Sequence, residues 1–213
     1  MRETIGYDDL VAMLRGAAEQ VRANKGQLSK LDSFGGDGDH GTTMARGMGL
    51  IEQAAADDSS GRLAELLSSV SWAIEGVDGG ATGPLFGMLF LGMSEAVEGK
   101  DALDAAAAAA MFESGLAALQ ANTKARPGDK TMMDALVPAV EALRQAADEG
   151  ADIATAMARA AQAADQGAQA TTEMQARFGR AKNLGERSRG HPDPGATSIA
   201  LIFKGFAQAL EDA

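Results

Sequence analysis

Apolar residues recur along this chain at the three- and four-residue spacing of a helix face, and almost nowhere at the two-residue spacing of a strand. Leu10, Leu14, Ala17, Ala18 and Val21 form one stripe, and Met44, Met48, Ile51 and Ala55 form another. Leu63, Leu66, Leu67, Val70 and Ile74 continue the series. Pro84, suited to a first helical turn, leads into Leu85, Met88, Leu89 and Met93. Further stripes are Met111 and Phe112 with Leu116 and Leu119, then Leu136, Val140 and Leu143. An Ala-rich stretch over about 152–176 follows, and Ile199, Ile202, Phe203, Phe206 and Leu210 close the pattern. The spacing predicts an all-α chain of about eight amphipathic helices. No linker or shift of composition divides the 213 residues, so one domain spanning 1–213 is expected.

Four interruptions carry most of the remaining chemistry: Leu31–Gly41 (LDSFGGDGDHG), Asp78–Pro84 (DGGATGP), Arg126–Thr131 (RPGDKT) and Gly179–Ser198. Composition narrows what they can do. Aromatics are only 4% while Gly numbers 26 and Met 11, a mix suited to close helix packing. A net charge of −11 opposes binding to nucleic acid, whose phosphates attract Lys and Arg. Absence of Cys excludes disulfides, zinc–thiolate sites, iron–sulfur clusters and thiol nucleophiles. No apolar stretch nears the roughly twenty residues of a membrane span, and MRETIGYDDL lacks the apolar segment of a secretory signal. A cytoplasmic protein without membrane or nucleic-acid partners is expected.

Asp32, Asp37 and Asp39 fall within eight residues, separated by glycines and followed by His40. Glycine lets the backbone curl until such carboxylates converge, and their mutual repulsion then calls for a cation. Mg²⁺ binds through a few carboxylates, waters and substrate phosphates, so the cluster points to a metal–nucleotide site. Two rival motifs fail. Gly36-x-Gly38-x-x-Gly41 has the dinucleotide spacing but no preceding strand. Asp37-Gly38-Asp39 opens like a calcium loop, yet Met48 stands where that loop needs Glu. Thr42 and Thr43 lie at a helix start, as caps or as hydroxyls and N–H groups for a phosphate.

The turn Gly79-Gly80-Ala81-Thr82-Gly83-Pro84 leads into a helix, where small residues and free N–H groups admit an anion. It lacks the Gly-Lys-Ser/Thr ending of a P-loop, and Asp129 interrupts that ending in Gly128-Asp129-Lys130-Thr131. The 179–198 segment gathers Arg180, Lys182, Arg187, Arg189 and His191 ahead of an Asp193-Pro194-Gly195 turn. These cations fit either an anionic partner or a solvated basic loop.

Taken together, GDGDHG (36–41), GGATGPLFG (79–87), PGDKTMMDA (127–135) and GRAKNLGERSRGHPDPGATS (179–198) resemble, in order, the nucleotide-binding L subunit of dihydroxyacetone kinases. His40 departs from the DGDTGTNM-type loop of the related fatty-acid kinases. The resemblance implies an eight-helix antiparallel up-and-down barrel with the nucleotide at one end. It implies two Mg²⁺ ions held by Asp32, Asp37 and Asp39. ADP or ATP would meet His40, Gly41, Thr42 and Thr43, with Ala81 and Thr82 beside its phosphates. Thr123 and Met132 would line the adenosine side, and Arg180 with Asp193, Pro194 and Gly195 would complete the pocket. Arg180 and His40 are the implied catalytic residues. A separate K-type subunit, holding the ketose through its own histidine, is the implied partner.

Several positions depart from the family pattern. Thr82 stands where Ser is usual, Thr123 where some relatives have Gly, and Lys182-Asn183 replaces a Ser-Tyr pair. Thr42-Thr43 resembles the ATP-dependent branch, whereas His40 resembles the branch recharged by a phosphotransferase-system M subunit. Three readings therefore stand: a kinase subunit using free ATP, one retaining ADP as a recharged cofactor, and a non-catalytic nucleotide-sensing module. A metal-dependent phosphatase is a fourth. The ketose is open between dihydroxyacetone and a tetrulose such as erythrulose, since its pocket would lie on the partner.

Overall fold

In a computed structural model, which describes residues 2–211, each apolar stripe becomes a helix. The order is α1 Tyr7–Ala23, α2 Lys25–Asp32, α3 His40–Asp57, α4 Leu63–Glu75, α5 Thr82–Ala96, α6 Ala105–Ala121, α7 Met133–Asp148, α8 Ile153–Ala170 and α9 Pro194–Glu211. Short 3₁₀ segments at Thr171–Glu173 and Arg180–Ser188 bridge α8 to α9. Among the described residues there is no strand, only an isolated bridge between Ile5 and Leu103. The pattern leads one to expect about eight helices; the ninth is α2, which buries only Leu28 and so leaves no stripe to read.

Each of the eight long helices packs on its sequence neighbour, and α1 packs along α9, so the ring closes on itself. Packing of each helix on its sequence neighbour makes an up-and-down arrangement, with the longest connection, 171–193, between α8 and α9. The interior is one continuous apolar cluster. Phe112, Phe203 and Phe206 form its aromatic centre, with ring centroids 5.3–6.0 Å apart.

Small residues set how closely the helices approach. A Cβ on Gly16 of α1 would lie 2.6 Å from the Gly205 carbonyl of α9, and one on Gly205 would strike the Gly16 carbonyl in turn. The closing seam of the barrel thus depends on two facing glycines. Gly92 and Gly115 play the same part between α5 and α6, where a Cβ on Gly115 would lie 2.6 Å from the Leu89 carbonyl. This packing explains a core that is short of aromatics and rich in Ala and Gly.

Up-and-down topology sends every second connection to the same end. The connections α2–α3, α4–α5, α6–α7 and α8–α9 therefore share one end, and these hold the four interruptions singled out in the sequence. The opposite end is tied by structural contacts. There Tyr7 donates to an Asp58 carboxylate oxygen at 2.9 Å, and the Ile153 N–H donates to the Arg2 carbonyl at 3.2 Å. Asp104 and Asp152 cap α6 and α8 by accepting from Ala107 and Thr155 N–H groups at 2.8 and 2.9 Å.

Candidate active site

Asp32 ends α2, Asp37 lies in the turn that follows, and Asp39 immediately precedes α3. The Gly36 N–H closes the turn onto the Asp32 carbonyl at 2.6 Å. Gly38 adopts a left-handed φ of 77°, and a Cβ there would crowd Ser33 Oγ at 2.7 Å. Curled in this way, the segment brings one carboxylate oxygen from each Asp within 4.8 Å of the others. Three hard oxygen donors at that separation fit a divalent cation such as Mg²⁺. The Arg180 guanidinium pairs with Asp37 and holds its carboxyl below the usual carboxylate range. An arginine thus supplies positive charge at the cluster.

Two helices start beside these carboxylates with no cap from the side chain of the preceding residue: α3 after Asp39, where Asp32 Oδ2 accepts from the His40 N–H at 3.3 Å, and α5 after Ala81. The first-turn N–H groups of Thr82 and Gly83 in α5, and the dipoles of both helices, make this region receptive to an anion. Gly79 lets the α4–α5 turn lie against α3, since a Cβ there would meet Thr43 Oγ1 at 2.6 Å. His40 Nε2 and the buried Ser198 hydroxyl share a hydrogen bond of 2.8 Å. Burial pushes the His40 imidazole below the ordinary histidine range, against the pull of Asp32 and Asp39, so the ring is neutral at neutral pH.

Across the cleft, Asp193 caps α9, its Oδ2 accepting from the Ala196 N–H at 2.8 Å. Desolvation by the surrounding protein pushes its carboxyl up to about 7. Lys130, buried nearby, is pushed down by the same cause. Asp134 accepts from the Gly128 and Thr131 N–H groups at 2.5 and 2.7 Å and shapes the 126–131 turn.

These elements enclose a cleft of about 290 Å³. Of the residues expected from the sequence, Asp32, Asp37, Asp39, His40, Thr43, Ala81, Thr82, Arg180, Asp193 and Pro194 line it. Gly41, Thr42, Thr123, Met132 and Gly195 do not. Gly41 instead packs α3 against α2, where a Cβ would strike the Lys25 carbonyl. Thr123 Oγ1 accepts from the Ala125 N–H at 3.2 Å. Met132 and Gly195 sit against each other, a Cβ on Gly195 lying 3.5 Å from the Met132 nitrogen.

Sequence reasoning missed Phe34, Phe178, Leu184 and Lys130, all of which line the cleft. Phe34 stacks on His191 with centroids 3.5 Å apart and planes 6° from parallel. An apolar residue inside an acidic glycine loop was the available signal for Phe34; Lys130 lies in the PGDKTMMDA motif, but nothing in that motif indicates its burial.

The match of residues 35–208 to the DAK2 domain decides the family. The chain belongs to it. Over 96% of its length it is 38% identical to the ADP-binding subunit DhaL of PEP-dependent dihydroxyacetone kinase 1 from Listeria innocua, covering 98% of that protein. It is equally 38% identical to the ADP-binding subunit DhaL of Escherichia coli, covering 88% of it. An L-erythrulose 1-kinase of Mycolicibacterium smegmatis is 36% identical, with 95% of this chain matching 35% of that longer protein. Among solved structures, the dihydroxyacetone kinase of C. freundii in complex with AMP-PNP and Mg²⁺ superposes with a TM-score of 0.73 at 26% identity. That match covers 98% of this DAK2 chain and 35% of the C. freundii chain. No helix among the described residues is long and apolar enough to cross a membrane.

Proposed function

We propose that the chain, as one nucleotide-binding unit spanning 1–213, is the ADP- or ATP-binding subunit of a dihydroxyacetone-type kinase in the cytoplasm. The observation that carries this reading is the meeting of three carboxylates with two helix starts at one end of the barrel. Asp32, Asp37 and Asp39 would hold two Mg²⁺ ions, which when bound neutralise the charge that builds on a transferring phosphoryl group. The chain's own groups do the rest. First-turn N–H groups of α5, with Ala81 and Thr82 and the dipole of α3, bind and orient phosphate oxygens. Arg180, which pairs with Asp37 at the cluster, would place its guanidinium on the transferred group. His40, neutral and fixed by Ser198, holds the start of α3 beside the phosphates. Thr123, Met132 and Gly195 support the adenosine side.

A ketose acceptor would sit on a separate K-type subunit, because among the described residues the histidines and the lysine that line the cleft are already engaged. Both of its histidines are engaged, His40 with Ser198 and His191 with Phe34. Similarity to ADP-binding subunits named as PEP-dependent supports a nucleotide retained and recharged by a phosphotransferase-system protein. The erythrulose kinases among the relatives support a tetrulose as a second candidate acceptor. The decisive experiment is sugar-phosphate formation from Mg-ATP, or from bound ADP plus a phosphotransferase M subunit, with dihydroxyacetone or erythrulose. Transfer is expected only with a K-type partner, since loose encounter forfeits about 7–11 kcal/mol of orientation. Robust transfer by the chain alone refutes the split site; no transfer under any combination favours a nucleotide-sensing role.

A further inference from the structure

One wall of the cleft is built from the α6–α7 and α8–α9 connections, and a single side chain ties them together. Lys130 is 6% exposed, and its Nζ donates to the carbonyls of Thr171 and His191, each at 2.7 Å. Its φ of 60° makes it the one non-glycine in the left-handed region among the described residues. A buried ammonium and a strained backbone are both costly, and neither helps pack the core. Both carbonyls it holds lead directly to the site. Thr171 is fully buried, and its hydroxyl accepts from the Asp193 N–H at 2.7 Å, which sets the cap of α9. His191 lies flat on Phe34, and Phe34 belongs to the turn that carries Asp37 and Asp39.

We infer that Lys130 is a positioning residue for the nucleotide site: by gripping the Thr171 and His191 carbonyls it seats His191 on Phe34 and so fixes the metal-binding turn relative to the Asp193 wall. The inference rests on the nucleotide reading above. Its action is indirect, through backbone carbonyls and one ring stack, and a neutral side chain of similar length cannot replace two charged hydrogen bonds.

Calorimetric titration of Mg-ADP into the full chain tests it. The unaltered chain must bind Mg-ADP; if it does not, the nucleotide reading fails and this inference falls with it. Lys130→Met is expected to lose affinity about tenfold or more, while Lys130→Arg, which can still donate to both carbonyls, stays within about threefold. Phe34→Ala also weakens binding, and adding it to Lys130→Met changes little further, because both cut one link. Unchanged affinity in folded Lys130→Met, no rescue by Arg, or fully additive losses overturns the inference. Should Lys130→Met not fold, hydrogen exchange in Phe34→Ala decides. Loosening the Phe34 side should speed exchange at Gly190 and Asp193, whose N–H groups bond to the Thr172 carbonyl and Thr171 Oγ1 on the Lys130 side. Unchanged exchange there overturns it.

Discussion

Asp37 holds two possible partners within reach, the Arg180 guanidinium and a cation shared with Asp32 and Asp39. Asp37→Asn or Asp39→Asn removes one ligand charge while keeping the side chain's shape. Each should weaken Mg-ADP binding by about tenfold or more, roughly 1.4 kcal/mol, with the helical far-UV signal intact. Equal Mg-ADP affinity in both variants by calorimetry would remove the metal assignment. Asp193 gives a separate residue-level test through pH. Its carboxyl titrates at about 7 in the folded chain and near 3.9 when unfolded, so the folded state binds the extra proton. That contribution to stability is complete below about pH 4 and is lost as pH rises through about 7. Asp193→Asn keeps a capping side chain but cannot ionise. Its Tm should therefore rise relative to the unaltered chain by a few degrees between about pH 5 and pH 8. A constant Tm difference across that range refutes the burial of the Asp193 carboxyl.

At the scale of elements, the helices differ in how they begin, and both kinds of start occur at both ends of the barrel. Asp104 and Asp152 cap α6 and α8 at the far end, where α4 has no cap; at the near end Asp193 caps α9, whereas α3 and α5 have none from the residue that precedes them. An uncapped start leaves N–H groups for a ligand and forgoes about 1 kcal/mol of capping. Helix seams show the other constraint. Gly205→Ala would push a Cβ into the Gly16 carbonyl and the Ala17 nitrogen, an overpacking cost of about 1–3 kcal/mol. Each kcal/mol lowers Tm by about 2–4 °C in a chain of this size. Thermal unfolding of Gly205→Ala without loss of Tm would show that α1 and α9 can separate freely. The stripes made the long helices legible because each buries a continuous apolar face. They could not show α2, with Leu28 as its one buried residue. Nor could they show the 3₁₀ run Arg180–Ser188, where only Ser188 is buried and a kink at Gly185 breaks the regularity.

Across the whole molecule, barrel closure and ligand binding act on one folding equilibrium. A nucleotide bound as proposed, across the α2–α3, α4–α5 and α8–α9 connections, would bind only the folded chain, so Mg-ADP at about a hundred times its Kd should add about 2.7 kcal/mol of stability. Differential scanning calorimetry should show a Tm that climbs with Mg-ADP concentration and stays flat with ADP plus chelator; a flat response to both would deny a nucleotide site in this fold. By itself the sequence determined the helical class, because a period near 3.6 in apolar residues admits little else. It also marked Asp32, Asp37 and Asp39 as a cation cluster, because glycines in one short segment bring their carboxylates together locally. No local pattern encodes that four interruptions spread over about 170 residues meet at one end; the family resemblance implied it, and the tertiary structure decided it through up-and-down connectivity. It likewise decided which expected residues face the cleft: His40 and Asp193 do, while Gly41 packs helices and Met132 sits against Gly195. Lys130 makes the reason plain. Its sequence neighbourhood is one of the four interruptions between helices, and its burial follows from carbonyls 41 and 61 residues away, contacts that exist only once the ring of helices has closed.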